Sequence, residues 1–187
     1  MRYSLILLCF FLVCTSFAQT ANDSTDGGAG IVYGKDHAFS ISTPKGWVLD
    51  NSSGVSQGLH AVFYPKGGSW QKSPAVMYAN TASRKSEDNE TVEKLITYDI
   101  GQFKSNHPNV KINDLDSLLT KDKKKVIVKT FAYSQYEAVA YIEEETIIAM
   151  LVLTTRTEEQ FKNAIPAFKE LVSSYFFMTK DVHLPDK

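Results

Sequence analysis

Residues Lys125–Thr155 read KVIVKTFAYSQYEAVAYIEEETIIAMLVLTT, and how this run is parsed decides the architecture. Val126, Ile127, Val128, Phe131, Val139, Tyr141, Ile142, Ile147, Ile148 and Val152 supply the β-branched and aromatic character that strands favour. Three strands follow, Lys125–Tyr133, Tyr136–Glu143 and Thr146–Thr154, with Ser134-Gln135 and Glu144-Glu145 as the turns. Connections this short join only antiparallel neighbours, so the run is a meander. That parse puts Ile127, Phe131, Ala138, Ala140, Ile142, Ile147, Ala149 and Leu151 on one face. Val126, Val128, Val139, Tyr141, Ile148, Met150 and Val152 fall on the other. Both faces are apolar and both need a cover, which implies a three-layer α+β domain. Neither turn carries Asn-Gly or Gly-X chemistry, so the register is left open.

Two amphipathic helices can provide the cover. Val92, Leu95, Ile96, Ile100 and Phe103 keep helical spacing from about Thr91 to Ser105, with Asp88 and Asn89 as caps and Asn106-His107-Pro108 as the stop. Thr157 can cap a second helix, whose apolar stripe is Phe161, Ile165, Phe168, Leu171, Val172 and Tyr175, interrupted by Pro166. Upstream, Ile31–Tyr33, His37–Thr43, Leu59–Tyr64 and Ala75–Ala82 read as strands, and Val110–Leu119 as another. The expectation is a sandwich with a central antiparallel sheet of about six strands and a helix on each face. Lys121–Lys125 and Glu143–Glu145 read as solvated tips.

At the N-terminus, Arg2, the apolar run Leu5–Val13 and the small-x-small site Ser16-Phe17-Ala18 have the layout of a secretory signal peptide. Residues 1–18 are assigned to it, Gln19–Gly30 to a flexible leader, 31–178 to a single domain and 179–187 to a polar tail. Cleavage after Ala18 removes Cys9 and Cys14, the two cysteines of the chain. No disulfide, thiol nucleophile or thiolate metal site then remains. The chain carries 20 Lys and Arg against 21 Asp and Glu. This balance argues against nucleic acid and against a polybasic membrane-surface mode. The implied location is periplasmic or secreted, with no stable membrane anchor once the leader is removed.

No catalytic constellation stands out. His37, His60, His107 and His183 fall on separate elements, without the spacing that puts two metal ligands on one helical face. Asp36-His37 near His60 offers a small metal site only if those strands pair. There is no G-x-S-x-G and no phosphate-cradling glycine loop, and nothing calls for a cofactor. Trp70 stands out as an indole in the Gly/Ser/Lys-rich loop Pro65–Pro74, where binding residues often sit. Trp47, Tyr64 and His60 complete the candidate binding set. For both indoles two readings stay open, packing and ligand contact.

The opening Phe39-x-Ile41-x-x-Pro44-x-Gly46-Trp47 with the Leu59–Tyr64 strand resembles the start of the PsbP/Mog1-like fold. The mid-chain helix before a meander and the closing Phe161…Pro166-x-Phe168-x-x-Leu171-Val172-x-x-Tyr175 helix fit the same order, from about Tyr33 to Met178. The resemblance implies an α-β-α sandwich. It also implies a binding module, as in an extrinsic photosystem subunit, a small-GTPase-binding protein and bacterial envelope adaptors. The signal peptide favours the envelope branch. The expected role is therefore an exported, non-catalytic accessory module for a protein or apolar peptide. The alternative is a periplasmic carrier of a small molecule or metal ion, using the Trp70 loop and the His37/His60 region. An apolar groove is expected near Pro65–Pro74.

Overall fold

The computed structural model describes residues 28–182; the signal-peptide reading, most of the leader and His183 lie outside them. In chain order the elements are β1 (Ala29–Gly34), β2 (His37–Ser42), β3 (Trp47–Asp50), β4 (Val62–Pro65), β5 (Ala75–Ser83), α1 (Val92–Asn106), β6 (Lys111–Asp114), β7 (Leu118–Leu119), β8 (Lys125–Ala132), β9 (Tyr136–Glu143), β10 (Ile147–Thr155), α2 (Glu158–Ser174) and β11 (Phe176–Thr179). The described chain is α+β, with two helices and a large antiparallel sheet. That sheet has eight strands rather than about six, in the order β3-β4-β5-β10-β9-β8-β6 with β7 also paired to β8. β1, β2 and β11 form a separate three-stranded sheet. β3 and β11 have no counterpart in the sequence reading, because four-residue strands are too short for periodicity to reveal.

The meander is present, but its register corrects the expected one. β8 and β9 pair as Ile127↔Tyr141 and Val128↔Ala140, around a loop of Tyr133, Ser134 and Gln135. This three-residue connection shifts β8 by one position, and a one-residue slip turns every side chain to the other face. Val126 and Val128 therefore join Ala138, Ala140 and Ile142, while Phe131 joins Val139 and Tyr141. At the second turn Ile148 faces Glu143 and the Glu144 N–H donates to the Ile147 carbonyl at 2.9 Å. That is a slip of two, so Ile147, Ala149 and Leu151 keep the face expected for them.

Two apolar clusters result. Ala164, Phe168, Leu171 and Val172 of α2 pack with Val126, Val128, Ala138, Ala140, Ile142, Ala149 and Leu151. Val92, Leu95 and Ile96 of α1 pack with Phe131, Val139, Tyr141, Ile148 and Val152. α2 starts where β10 stops, because Thr157 and Gln160 form a reciprocal capping box. α1 is capped by Thr91, which accepts from the Lys94 N–H at 3.3 Å. Asp88 and Asn89, the expected caps, instead lie in a short 3-10 turn, Glu87–Asn89.

The small sheet leans on the larger cluster through Val32, Phe39 and Phe177. Its register sets Ile31 opposite Ser40 and Ser40 opposite Phe176. These residues therefore form the outer face, where Ile31 and Phe176 stay 58% and 40% exposed.

Candidate functional site

The four residues singled out from the sequence do not converge. Trp47 is 8% exposed and belongs to the main core, so packing rather than ligand contact explains it. It follows the expected turn, in which the Trp47 N–H donates to the Pro44 carbonyl and Gly46 takes a positive φ of 77°. Tyr64 is half-buried and donates to Asp50 Oδ2 at 3.1 Å. Burial alone would raise the Asp50 carboxyl, but hydrogen bonds from Ser53 and Ser52 overcome it and hold the group well below the usual carboxylate range. Trp70 is half-buried and meets Tyr78 edge-on, with ring centres 6.1 Å apart. His60 is exposed and shares a small cavity of about 230 Å³ with His37, whose buried Nδ1 has no hydrogen-bond partner. No group of three or more metal-ligating side chains occurs among the described residues.

Concave surface lies elsewhere. One depression, about 590 Å³, is a shallow area over the exposed flank of α1 bordered by Glu87, Asp88, Glu93 and Lys94. Tyr98 and Gly101 also line it, but it lies on the outer flank of a single helix, with no strand or second α-helix facing across it. Two adjoining grooves of about 520 and 420 Å³ sit at the β8–β6 corner instead, and both include Lys111, Ala132 and Tyr136. None of these three depressions is lined by a residue of Pro65–Pro74, where a groove was expected.

The corner is open because of where α2 runs. It packs over β10, β2, β7, β5 and β9, and between Phe161 and Ile165 of its first half and the β6–β8–β9 corner a groove remains. Lys111, Ala132 and Tyr136 are consecutive cross-strand partners on β6, β8 and β9, so they share one face. Asn113 and Thr130 are the next such pair. Phe161 and Ile165 of α2 form the opposite wall, with the Phe161 ring 6.2 Å from that of Tyr136. Leu115 completes an apolar floor. Phe131 and Glu137 also border this groove, but strand alternation turns their side chains to the α1 side. Beyond Tyr136 the second groove continues past Ser134 to Tyr133 and His107, whose rings stack at 4.0 Å. The result is one trench from α2 to the end of α1.

Its chemistry is that of a binding surface: aliphatic and aromatic walls, amide and hydroxyl groups, and ammonium groups at the rim. The buried carboxylates point away from it or lie elsewhere. Asp99 accepts from the Tyr141 hydroxyl at 2.8 Å, and burial raises its pKa. Glu137 accepts from the Tyr133 hydroxyl and is likewise raised by burial. Glu144, read from the sequence as part of a solvated tip, is 5% exposed. It lies between Lys124 Nζ and the Tyr175 hydroxyl, the latter 3.3 Å away.

No family model matches the chain, and no curated protein matches it. Its backbone is similar to the solution structure of cyanobacterial PsbP from Synechocystis, with a TM-score of 0.52 over 86% of this chain and 99% of that one. The fold is PsbP-like. Sequence identity over that match is 12%, so the likeness carries the arrangement of elements and transfers no site residue. Within this PsbP-like fold, neither the trench nor its Lys111–Ala132–Tyr136 centre is visible in the chain order. Lys111 and Ala132 are separated by the run through β7 into β8, and Ala132 and Tyr136 by a hairpin loop, and only pairing of β6, β8 and β9 brings them together.

Proposed function

We propose that this protein is an exported, non-catalytic accessory module that holds a protein or apolar peptide partner in the trench between α2 and the β8–β6 corner. The carrying observation is the trench itself, an apolar-walled concavity where the layer above the large sheet is incomplete. We read the two apolar clusters as a three-layer sandwich with one helix over each face, so that a partner side chain would extend the α2 layer. The PsbP-like fold supports an accessory role, and the N-terminal sequence supports export to a periplasmic or extracellular location.

Ala132→Phe fills the shared centre of the trench from a half-buried strand position. Capture experiments with the mature protein should recover a partner that this variant loses while its far-UV and near-UV spectra stay native. Equal capture by both forms would count against the trench.

A carrier role at the His37–His60 cavity rests on one observation, the buried His37 Nδ1, which makes no hydrogen bond and has only the Asp36 carboxylate 3.7 Å away. Two imidazoles without a third ligand suit a small polar molecule better than a metal ion.

A further inference from the structure

We propose that the trench selects an extended segment that is both apolar and acidic, seating a carboxylate at Lys111 and an apolar side chain between Tyr136 and Ile165. This deepens the binding role proposed above and rests on it. Extension follows from continuity: two adjoining grooves of about 520 and 420 Å³ share Lys111, Ala132 and Tyr136, so successive side chains of one extended segment can occupy both. Sign follows from the charges that face the groove. At its α2 end stand two ammonium groups, Lys111 and Lys162, and one carboxylate, Glu158. Glu158 is committed to Lys162, 2.6 Å away, which holds its carboxyl below the usual range, and Lys111 adds to that effect from a distance. The nearby Glu137 and Asp114 do not neutralise Lys111. Strand alternation points both to the α1 side, where Asp114 pairs with Lys129 and Glu137 with Tyr133. Lys111 is exposed, at the point the two grooves share, and has no carboxylate within salt-bridge distance among the described residues. An incoming carboxylate there would be the complementary charge.

The test uses two fluorescein-labelled hexapeptides that alternate apolar residues with either aspartate or lysine, titrated by fluorescence anisotropy at low and high salt. The aspartate peptide should bind about five- to tenfold more tightly at low salt, with the margin shrinking as salt screens it. Lys111→Glu should reverse the preference, and Lys111→Ala should erase it. Equal affinities, a preference for the lysine peptide, or binding of neither would overturn the proposal. Should both peptides bind alike to the native protein and lose affinity for Ala132→Phe, the trench stands as a binding surface and only its acid selectivity falls. Undiminished peptide and partner binding by Ala132→Phe would instead remove the trench.

Discussion

The Tyr141 hydroxyl donates to Asp99 Oδ2 at 2.8 Å, tying the middle of β9 to the centre of α1. Tyr141 is 1% exposed, and burial pushes its own ionisation well above the usual phenol range, so it remains a donor. α1 buries only Val92, Leu95 and Ile96 fully. With Ile100 and the Phe103 ring, which stacks on Phe131 at 3.9 Å, this hydrogen bond orients its second half.

Tyr141→Phe should destabilise the fold by about 1–3 kcal/mol at neutral pH, because it leaves the Asp99 carboxylate without its donor. Asp99 has a raised folded pKa. Its contribution is thus favourable below the unfolded value of about 3.9 and is lost as pH rises through the folded one. The cost of Tyr141→Phe should shrink on acidification, and Asp99→Asn should flatten that pH dependence. Urea midpoints across the acid range measure both. A pH-independent cost would count against this linkage.

Asp50 should behave in the opposite sense. Its carboxylate accepts from the Ser52 and Ser53 N–H groups at 2.7 and 2.9 Å, and from both serine hydroxyls and Tyr64. Its folded pKa is depressed. The stability it supplies is present above about pH 4 and fades as pH falls through the folded value. Asp50→Ala should cost about 1–2 kcal/mol at neutral pH, and less in acid.

The two tryptophans should separate cleanly. Trp47→Ala removes a core side chain and should cost about 3–5 kcal/mol. Trp70→Ala loses an edge-on ring contact from a half-buried position and should cost about 1 kcal/mol, with the native spectrum retained. Comparable losses in thermal unfolding would show that the Pro65–Pro74 loop is as much core as the β3 strand.

Thr157→Ala should cost about 1 kcal/mol, since it removes the side chain that accepts from the Gln160 N–H and leaves half of the capping box. Thr157→Ser should restore most of it. Calorimetry on the two variants is sufficient.

Much of the fold is legible in the chain because its signals are local. The Phe161–Tyr175 stripe, the Thr157 cap and the β-rich run from Lys125 each depend on neighbours a few positions apart. Glu144 shows where this ends. In sequence it is the middle of three glutamates and reads as a solvated turn. The turn instead falls at Glu145-Thr146, and alternation from Ile142 carries Glu144 inward, to Tyr175 and to a lysine from the other charged tip. The candidate site was illegible for the same reason: Lys111, Ala132, Tyr136 and Phe161 form no motif.

Periodicity and capping were enough to determine that this chain makes a strand meander with two amphipathic helices, since hydrophobic spacing is a property of each segment taken alone. Register, the eight-stranded membership of the large sheet and the open corner beside α2 were decided only in three dimensions. A one-residue difference in a hairpin loop, or the angle at which a helix crosses a sheet, changes which side chains meet while leaving the pattern of each segment unaltered.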